Sequence, residues 1–169
     1  MGFPNEERGL KISGTDFVYL SEGAYGVVFI DKAARRIRKI WKRRPEEDHA
    51  RAVFKAEVEA YGLAMKSPVL TGLIPGDFRL CDPQQIIDMQ GQDVSGEFFT
   101  DLVFETDLVE GTFQKIGSLG SDEAFRVRRM FFDAGIRHTN DMSVTLSADG
   151  VIVKAIDFAV QEHELMHEH

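Results

Sequence analysis

The first third of the chain alternates between apolar and polar positions in the way that β-strands do. Residues 16–20 and 26–30 are rich in β-branched and aromatic side chains and flank the segment Ser21–Tyr25, which contains a glycine. This combination predicts a hairpin with a wide turn. A further alternating run, Arg36–Lys42, predicts a third strand. The side chains expected on one face of that strand are Ile37, Lys39 and Trp41.

After Pro45 the apolar spacing changes to the helical period, which predicts a helix to about Lys66, ending before Pro68. Glu57 falls inside the apolar stripe, whereas Glu59 falls outside it. Because a buried carboxylate is unfavourable without a partner, we expect a cation to pair with Glu57. The stripe consists of Ala50, Val53, Phe54, Ala60, Tyr61 and Ala64.

The second half of the chain begins with a polar stretch, 81–97, which we interpret as an exposed loop. The apolar run 98–108 predicts a strand, and Ser121 is suited to cap a helix that Gly135 would end. The order of strands, helix, strands, helix and a final hairpin predicts an α+β fold with two lobes around a cleft.

The final hairpin joins Val144–Leu146 to Val151–Phe158 through Asp149-Gly150, a pair that favours tight turns. Alternation within the second strand predicts that Asp157 lies at its carboxyl end. The residues expected on the same face as Asp157 are Val151, Val153 and Ala155.

Composition limits the classes of function. The chain has 169 residues, of which 43% are hydrophobic, so a single domain with a sizeable core is expected. A net charge of −8 argues against a nucleic-acid-binding protein. The exception is a basic run at 35–44, which is either a solvated strand and turn or a docking patch. Cys81 is the only cysteine, which excludes an internal disulfide and a cysteine-based zinc site.

Two separated motifs resemble those of protein kinases. The segment Leu20-x-x-Gly23-x-Tyr25-Gly26-x-Val28 looks like the kinase glycine-rich loop, with Ser21 in place of its first glycine. The triplet Asp157-Phe158-Ala159 resembles the metal-binding Asp-Phe-Gly triplet, with alanine replacing glycine.

The resemblance implies a set of site residues. Gly23 and Gly26 would cover the ATP phosphates, because glycine lets backbone amides approach them closely. Lys39 would hold the phosphates and Glu57 would pair with Lys39. Asp157 would bind Mg²⁺. The side chains implied to enclose the adenine are Val28 and Ile37.

The expected catalytic loop departs from the family pattern. Gly135-Ile-Arg-His138 resembles the approach to that loop, but the following segment is about two residues shorter than the family requires. Asp141 lies sixteen residues before Asp157, near the family separation, so we favour Asp141 as the base, with Asn140 reaching the metal. With Asp141 as the base, the second metal position of the family falls on Leu146; with Asn140 as the metal asparagine, the base is missing. The alternative is a pseudokinase that binds nucleotide without turnover.

After Asp157 only twelve residues remain, so the resemblance is to a kinase with a complete N-lobe, about 10–108, and a much reduced C-lobe, about 112–169. Such minimal kinases are delivered by bacterial pathogens into host cells. This implies a monomeric, Mg²⁺- and ATP-dependent Ser/Thr kinase acting on a protein of the host. We accordingly expect a cytoplasmic or secreted protein, since the sequence shows neither a signal peptide nor a membrane-length apolar run.

A competing motif is His163-Glu-Leu-Met-His167, which fits the zinc-binding pattern H-E-x-x-H. A third protein ligand normally follows well downstream, and here two residues follow. We therefore interpret this segment as a charged tail.

Overall fold

The computed structural model describes residues 9–158 and shows an α+β fold with a curled antiparallel sheet, a smaller sheet and two helices in this range. Neither helix is long and apolar enough to cross a membrane. The helices are α1 (Glu47–Lys66) and α2 (Asp122–Asp133), and single 3-10 turns occupy Ser95–Glu97 and Ile116–Ser118. The strands are β1 (Lys11–Ile12), β2 (Val18–Glu22), β3 (Gly26–Asp31), β4 (Arg36–Lys42), β5 (Arg79–Leu80), β6 (Ile86–Ile87), β7 (Phe98–Asp107), β8 (Gln114–Lys115), β9 (Ser143–Leu146) and β10 (Ile152–Ile156).

The chain divides into two compact units, each assembled from separate stretches. The first unit consists of the residues up to Arg51 together with Asp77–Leu108. The second consists of Ala52–Gly76 and the residues from Val109 onward. Residues adjacent along the chain, such as the first and later turns of α1, therefore belong to different units.

The first unit is built on the seven-stranded sheet, in the order β5-β7-β4-β3-β2-β1-β6. The prediction of strands at β3, β4 and β7 is confirmed, because these segments carry enough apolar side chains to bury one face. The core on that side consists of Leu10, Ile12, Phe17, Val27, Phe29, Ile40, Ile86, Phe98 and Val103.

The prediction of an exposed loop at 81–97 is wrong in part. Ile86 begins the short strand β6, which pairs with β1, and its side chain is completely buried in the core of the first unit. Ser95 supports this strand, since its hydroxyl accepts a hydrogen bond from the Ile86 N–H at 2.9 Å. Because most of the surrounding residues are polar, the sequence pattern did not predict that Ile86 would be buried.

The second unit contains the three-stranded sheet, in the order β10-β9-β8, and α2. The predicted cap is confirmed, since the Ser121 hydroxyl accepts a hydrogen bond from the Ala124 N–H at 3.2 Å. The predicted hairpin turn is also present, with Gly150 at φ +81° between β9 and β10. Gly135 follows α2 at φ +98°, a conformation that glycine adopts without strain.

The predicted face of the last strand is wrong. A β-bulge lies where Ile152 pairs with Leu146 and Lys154 pairs with Thr145, so that Val153 is an extra residue. The bulge reverses the alternation, leaving Val153 exposed while Ile152 and Ala155 are buried.

A buried ion network joins three strands of the first unit. The Glu105 carboxylate on β7 accepts hydrogen bonds from Arg36 Nε at 2.6 Å and Arg38 Nε at 2.7 Å, both on β4. The Glu105 side chain is only 8% exposed. Arg79, on β5, lies 3.7 Å from the same carboxylate. Burial favours a higher pKa for Glu105, but the hydrogen bonds from Arg38 and Arg36 outweigh it and lower the pKa.

We expect Glu105→Ala to lower the free energy of unfolding by about 2 kcal/mol, because the Nε donors of Arg36 and Arg38 both lose a buried charged acceptor. Arg36 keeps its ion pairs with Asp77 and Asp107, which limits the loss. Asp101→Ala is the control, since the exposed Arg51–Asp101 pair contributes about 1 kcal/mol or less. Urea denaturation measures both. The pKa of Glu105 is lower in the folded protein than its ordinary value of 4.5. The contribution of Glu105 to the free energy of unfolding is therefore fully present above pH 4.5 and is lost as the pH falls through the folded pKa. Equal losses in the two variants would contradict this role for Glu105.

Candidate functional site

The predicted nucleotide-binding residues of the first unit share one face of the sheet. In the pairing of β3 with β4, Gly26 lies opposite Trp41 and Val28 lies opposite Lys39. Ile37 is two residues from Lys39 along β4 and therefore projects from the same face. Val28, Ile37 and Lys39 are all partly exposed.

The Lys39 side chain lies across Gly26. A Cβ atom added to Gly26 would be 2.8 Å from Lys39 Cε and 3.1 Å from Lys39 Cγ, closer than side chains normally approach. Lys39 Nζ also lies 4.8 Å from the centroid of the Trp41 ring, a cation–π distance. Gly26 therefore provides the space that the lysine stem occupies.

Gly23 has a different environment from Gly26. It is exposed, no heavy atom outside its chain neighbours lies within 4 Å of a Cβ built there, and its N–H donates to the Gly26 carbonyl at 2.9 Å. The first glycine thus closes the turn between β2 and β3, while the second accommodates Lys39.

The turn is held by residues that the sequence analysis did not assign to the site. Arg44 Nη1 donates to the Ala24 carbonyl at 2.7 Å, and the Arg44 guanidinium lies 4.4 Å from the centroid of the buried Tyr25 ring. The His49 ring meets Tyr25 edge-on at 5.6 Å. The only feature of the sequence that pointed to these contacts was Tyr25, an aromatic residue between the two glycines of the turn.

Much of the basic run at 35–44 binds within the first unit. Lys42 Nζ lies 3.0 Å from a Glu22 carboxylate oxygen, and Arg43 Nε donates to the Gly96 carbonyl at 3.0 Å. Arg36, Arg38 and Arg44 have the partners described above. These cations hold neighbouring segments together, which accounts for their clustering without an external partner.

In the second unit, Glu57, Tyr61 and Asp157 form an electrostatic group. Glu57 is buried, as its place in the apolar stripe predicted, and Tyr61 follows one helical turn later. Burial raises the pKa of the Tyr61 hydroxyl, and the carboxylates of Glu57 and Asp157 raise it further. The structure thus brings together two of the predicted site residues around a neutral tyrosine.

Phe158 anchors the segment that carries Asp157. The Phe158 ring is buried, with its centroid 4.8 Å from that of Tyr61 and 5.2 Å from that of Phe131. The adjacent Asp157 is exposed and adopts φ +56°, a left-handed conformation that aspartate tolerates better than most residues. One side chain therefore enters the core while its neighbour is presented to solvent.

The predicted catalytic loop is also in the second unit. Asn140 and Asp141 are both exposed. Arg128, on α2, orders this loop by donating from Nη2 to Asn140 Oδ1 at 2.5 Å and from Nε to the buried Thr139 hydroxyl at 3.2 Å. Lys115 Nζ donates to the Asp141 backbone carbonyl at 3.0 Å. Arg128 was not identified from the sequence.

The residues available to hold Mg²⁺ are few. Residues 9–158 contain no group of three or more His, Cys, Asp or Glu side chains placed to hold a metal. Mg²⁺ in phosphoryl-transfer sites needs only one or two carboxylates, with phosphates and waters supplying the rest. The exposed Asp157 carboxylate fits that requirement. The Asn140 oxygen, in contrast, already accepts a hydrogen bond from a cation.

The predicted site residues are divided between the units. Gly23, Gly26, Val28, Ile37 and Lys39 belong to the first unit, and Glu57, Asn140, Asp141 and Asp157 belong to the second. Ala159, which completes the Asp-Phe-Gly-like triplet, and the His163–His167 motif lie outside the described residues.

Comparison of the chain with family models, with curated proteins and with solved structures finds no significant match. A functional assignment therefore depends on the residues and their arrangement.

We expect Asp157→Asn to leave the free energy of unfolding within about 0.5 kcal/mol of the parent, because asparagine also tolerates a positive φ. Asp157→Val should lower it by roughly 1–2 kcal/mol, since a β-branched residue is strained in that conformation. Denaturant unfolding of both variants measures the difference. Equal stability of the two would show that the positive φ is not maintained in solution.

Proposed function

We propose that this chain is a minimal protein kinase that transfers the γ-phosphoryl group of ATP to serine or threonine in a protein. The observation that carries the proposal is the common face of Gly26, Val28, Ile37 and Lys39, with the lysine lying across the glycine. A lysine beside a glycine turn, next to partly exposed aliphatic side chains, suits a nucleotide's phosphates and base.

In this function the first unit binds the nucleotide. Val28 and Ile37 contact the adenine, and the ammonium group of Lys39 binds the phosphates. Arg44 and Tyr25 keep the turn in position, which limits the entropy lost when ATP binds. Gly23 closes the turn that would cover the phosphates, and Gly26 leaves space for the stem of Lys39 beside them.

The second unit supplies the carboxylates. We assign Glu57 as the partner of Lys39, as the kinase resemblance implies, and Asp157 as the residue that holds Mg²⁺. The bound metal would neutralise charge developing on the phosphates. The exposed Asp141 carboxylate orients the substrate hydroxyl and accepts its proton as the oxygen attacks phosphorus. By the same resemblance, we propose a two-lobed kinase-like fold and a monomeric bacterial effector that modifies a host protein.

A pseudokinase is the second candidate, and one observation favours it. Asn140 Oδ1, the atom that would bind a metal, accepts a hydrogen bond from Arg128 at 2.5 Å. A site with only Asp157 as metal ligand can hold a nucleotide without promoting transfer. The two candidates differ in turnover rather than in nucleotide binding.

We expect the chain to transfer ³²P from γ-labelled ATP to proteins of a eukaryotic cell lysate. Lys39→Ala, Asp157→Asn and Asp141→Asn should each reduce labelling by about a hundredfold or more, since each removes a phosphate, metal or proton contact. Lys55→Ala is the control, because its side chain is 78% exposed and it loses the same charge as Lys39→Ala. Equal labelling by the parent chain and all variants would contradict the proposed kinase activity.

We expect ATP with Mg²⁺ to raise the melting temperature of the parent chain, by an amount equivalent to about 2.7 kcal/mol at a hundredfold excess over Kd. Gly26→Ala should lose most of this increase, because its Cβ displaces the Lys39 stem, whereas Gly23→Ala should retain it. Differential scanning fluorimetry measures both. An ATP response without transfer would identify the pseudokinase, and a chain that does not respond to ATP would exclude both candidates.

A further inference from the structure

A cavity of about 530 Å³ lies in the second unit, beside α2 and the loop that carries Asn140. Its walls combine arginine side chains with exposed aromatic rings. Its lining includes Phe125, Arg128, Phe132, Arg137 and Thr139. The volume lies within the range of sites that bind small ligands or a few side chains of a peptide.

Two of the arginines in this cavity have no carboxylate partner among residues 9–158. Arg128 uses two of its five N–H donors on Thr139 and Asn140, and Arg137 lies 5.5 Å from the centroid of the Phe132 ring. Neither forms an ion pair with a carboxylate within residues 9–158. Arg129, which also lines the cavity, is by contrast paired with Asp133 at 3.0 Å. An anion would therefore bind to Arg128 and Arg137.

The aromatic rings indicate that the anion belongs to a larger, partly apolar ligand. Phe125 is 71% exposed and Phe132 is 51% exposed, although both are on a helix whose other face is buried. Large exposed apolar side chains around a cavity that also holds charged groups are typical of interaction sites. The net charge of −8 would repel a nucleic acid, which carries a phosphate on every nucleotide. A short acidic peptide carries fewer negative charges and is repelled less.

The cavity is connected to the loop that carries the proposed base. Arg128 lines the cavity and binds Asn140, which directly precedes Asp141. A peptide that contacts Arg128 would therefore have its neighbouring residues close to Asp141.

We propose that this cavity binds an acidic segment of the protein substrate, with carboxylates on Arg128 and Arg137 and an apolar side chain against Phe125 and Phe132. The assignment of the occupant as a substrate rests on the proposed kinase function, whereas the binding of an acidic peptide does not. The site would restrict phosphorylation to serine or threonine residues that have acidic and apolar neighbours.

The test is fluorescence anisotropy of the labelled peptide Gly-Ser-Glu-Phe-Glu-Asp-Gly with the full chain, without ATP or Mg²⁺. We expect Arg137→Ala and Arg128→Met each to weaken binding by about tenfold, as charged hydrogen bonds are lost. Phe125→Ser should weaken it by about fivefold. Phe125 and Arg137 are exposed, so these variants test the site even if Arg128→Met disturbs the loop. Lys55→Ala, which makes the same change in net charge, should bind like the parent.

Two further peptides define the ligand. The version with Gln and Asn in place of Glu and Asp should lose the carboxylate contacts, and the version with Ala in place of Phe should lose the aromatic contact. Failure of the acidic peptide to bind, equal weakening by Lys55→Ala, or full displacement by inorganic phosphate at the same concentration as the free peptide would overturn the proposal. Because nucleotide is absent, a negative result here is distinguishable from a failure of the ATP and transfer experiments.

Discussion

The pairing of β3 with β4 is the constraint on which the candidate nucleotide site depends. Its register places Val28 opposite Lys39 and Gly26 opposite Trp41, so the site residues project from one face while Val27, Phe29 and Ile40 project into the core. A slip of one residue would exchange the two faces, placing Lys39 in the core and exposing Ile40. The burial of Phe29 and Ile40 thus determines which side chains are available to a ligand.

Charged residues are used for two different purposes in this protein. Glu105 is buried and satisfied by Arg36 and Arg38, which makes that network a structural element of the first unit. Arg128 and Arg137 instead have no carboxylate partner within residues 9–158 and line a cavity. The basic run that first suggested a docking patch is therefore mostly structural, and the cations suited to an acidic ligand lie elsewhere in the sequence.

The position of Asp157 in the second unit depends on the packing of aromatic side chains. Phe158 is held by Tyr61 and Phe131, and the next residue in the N-terminal direction is the exposed Asp157. Tyr61 is one turn from Glu57 on the same helix, so one element carries both the buried carboxylate and the ring that anchors the aspartate segment. This arrangement couples the conformation of α1 to the placement of Asp157.

Local pattern was enough to predict much of the fold. The strands β3, β4 and β7, the helix α1, the Ser121 cap, the final turn and the burial of Glu57 all follow from side-chain period and turn chemistry, which act over a few residues. The anchoring role of Ile86, the bulge at Val153, the space that Gly26 provides for Lys39, and the pairing of Arg128 with Asn140 depend on partners distant in sequence or on the match between two strands. No pattern within a single segment specifies those contacts, so only the tertiary structure decided them.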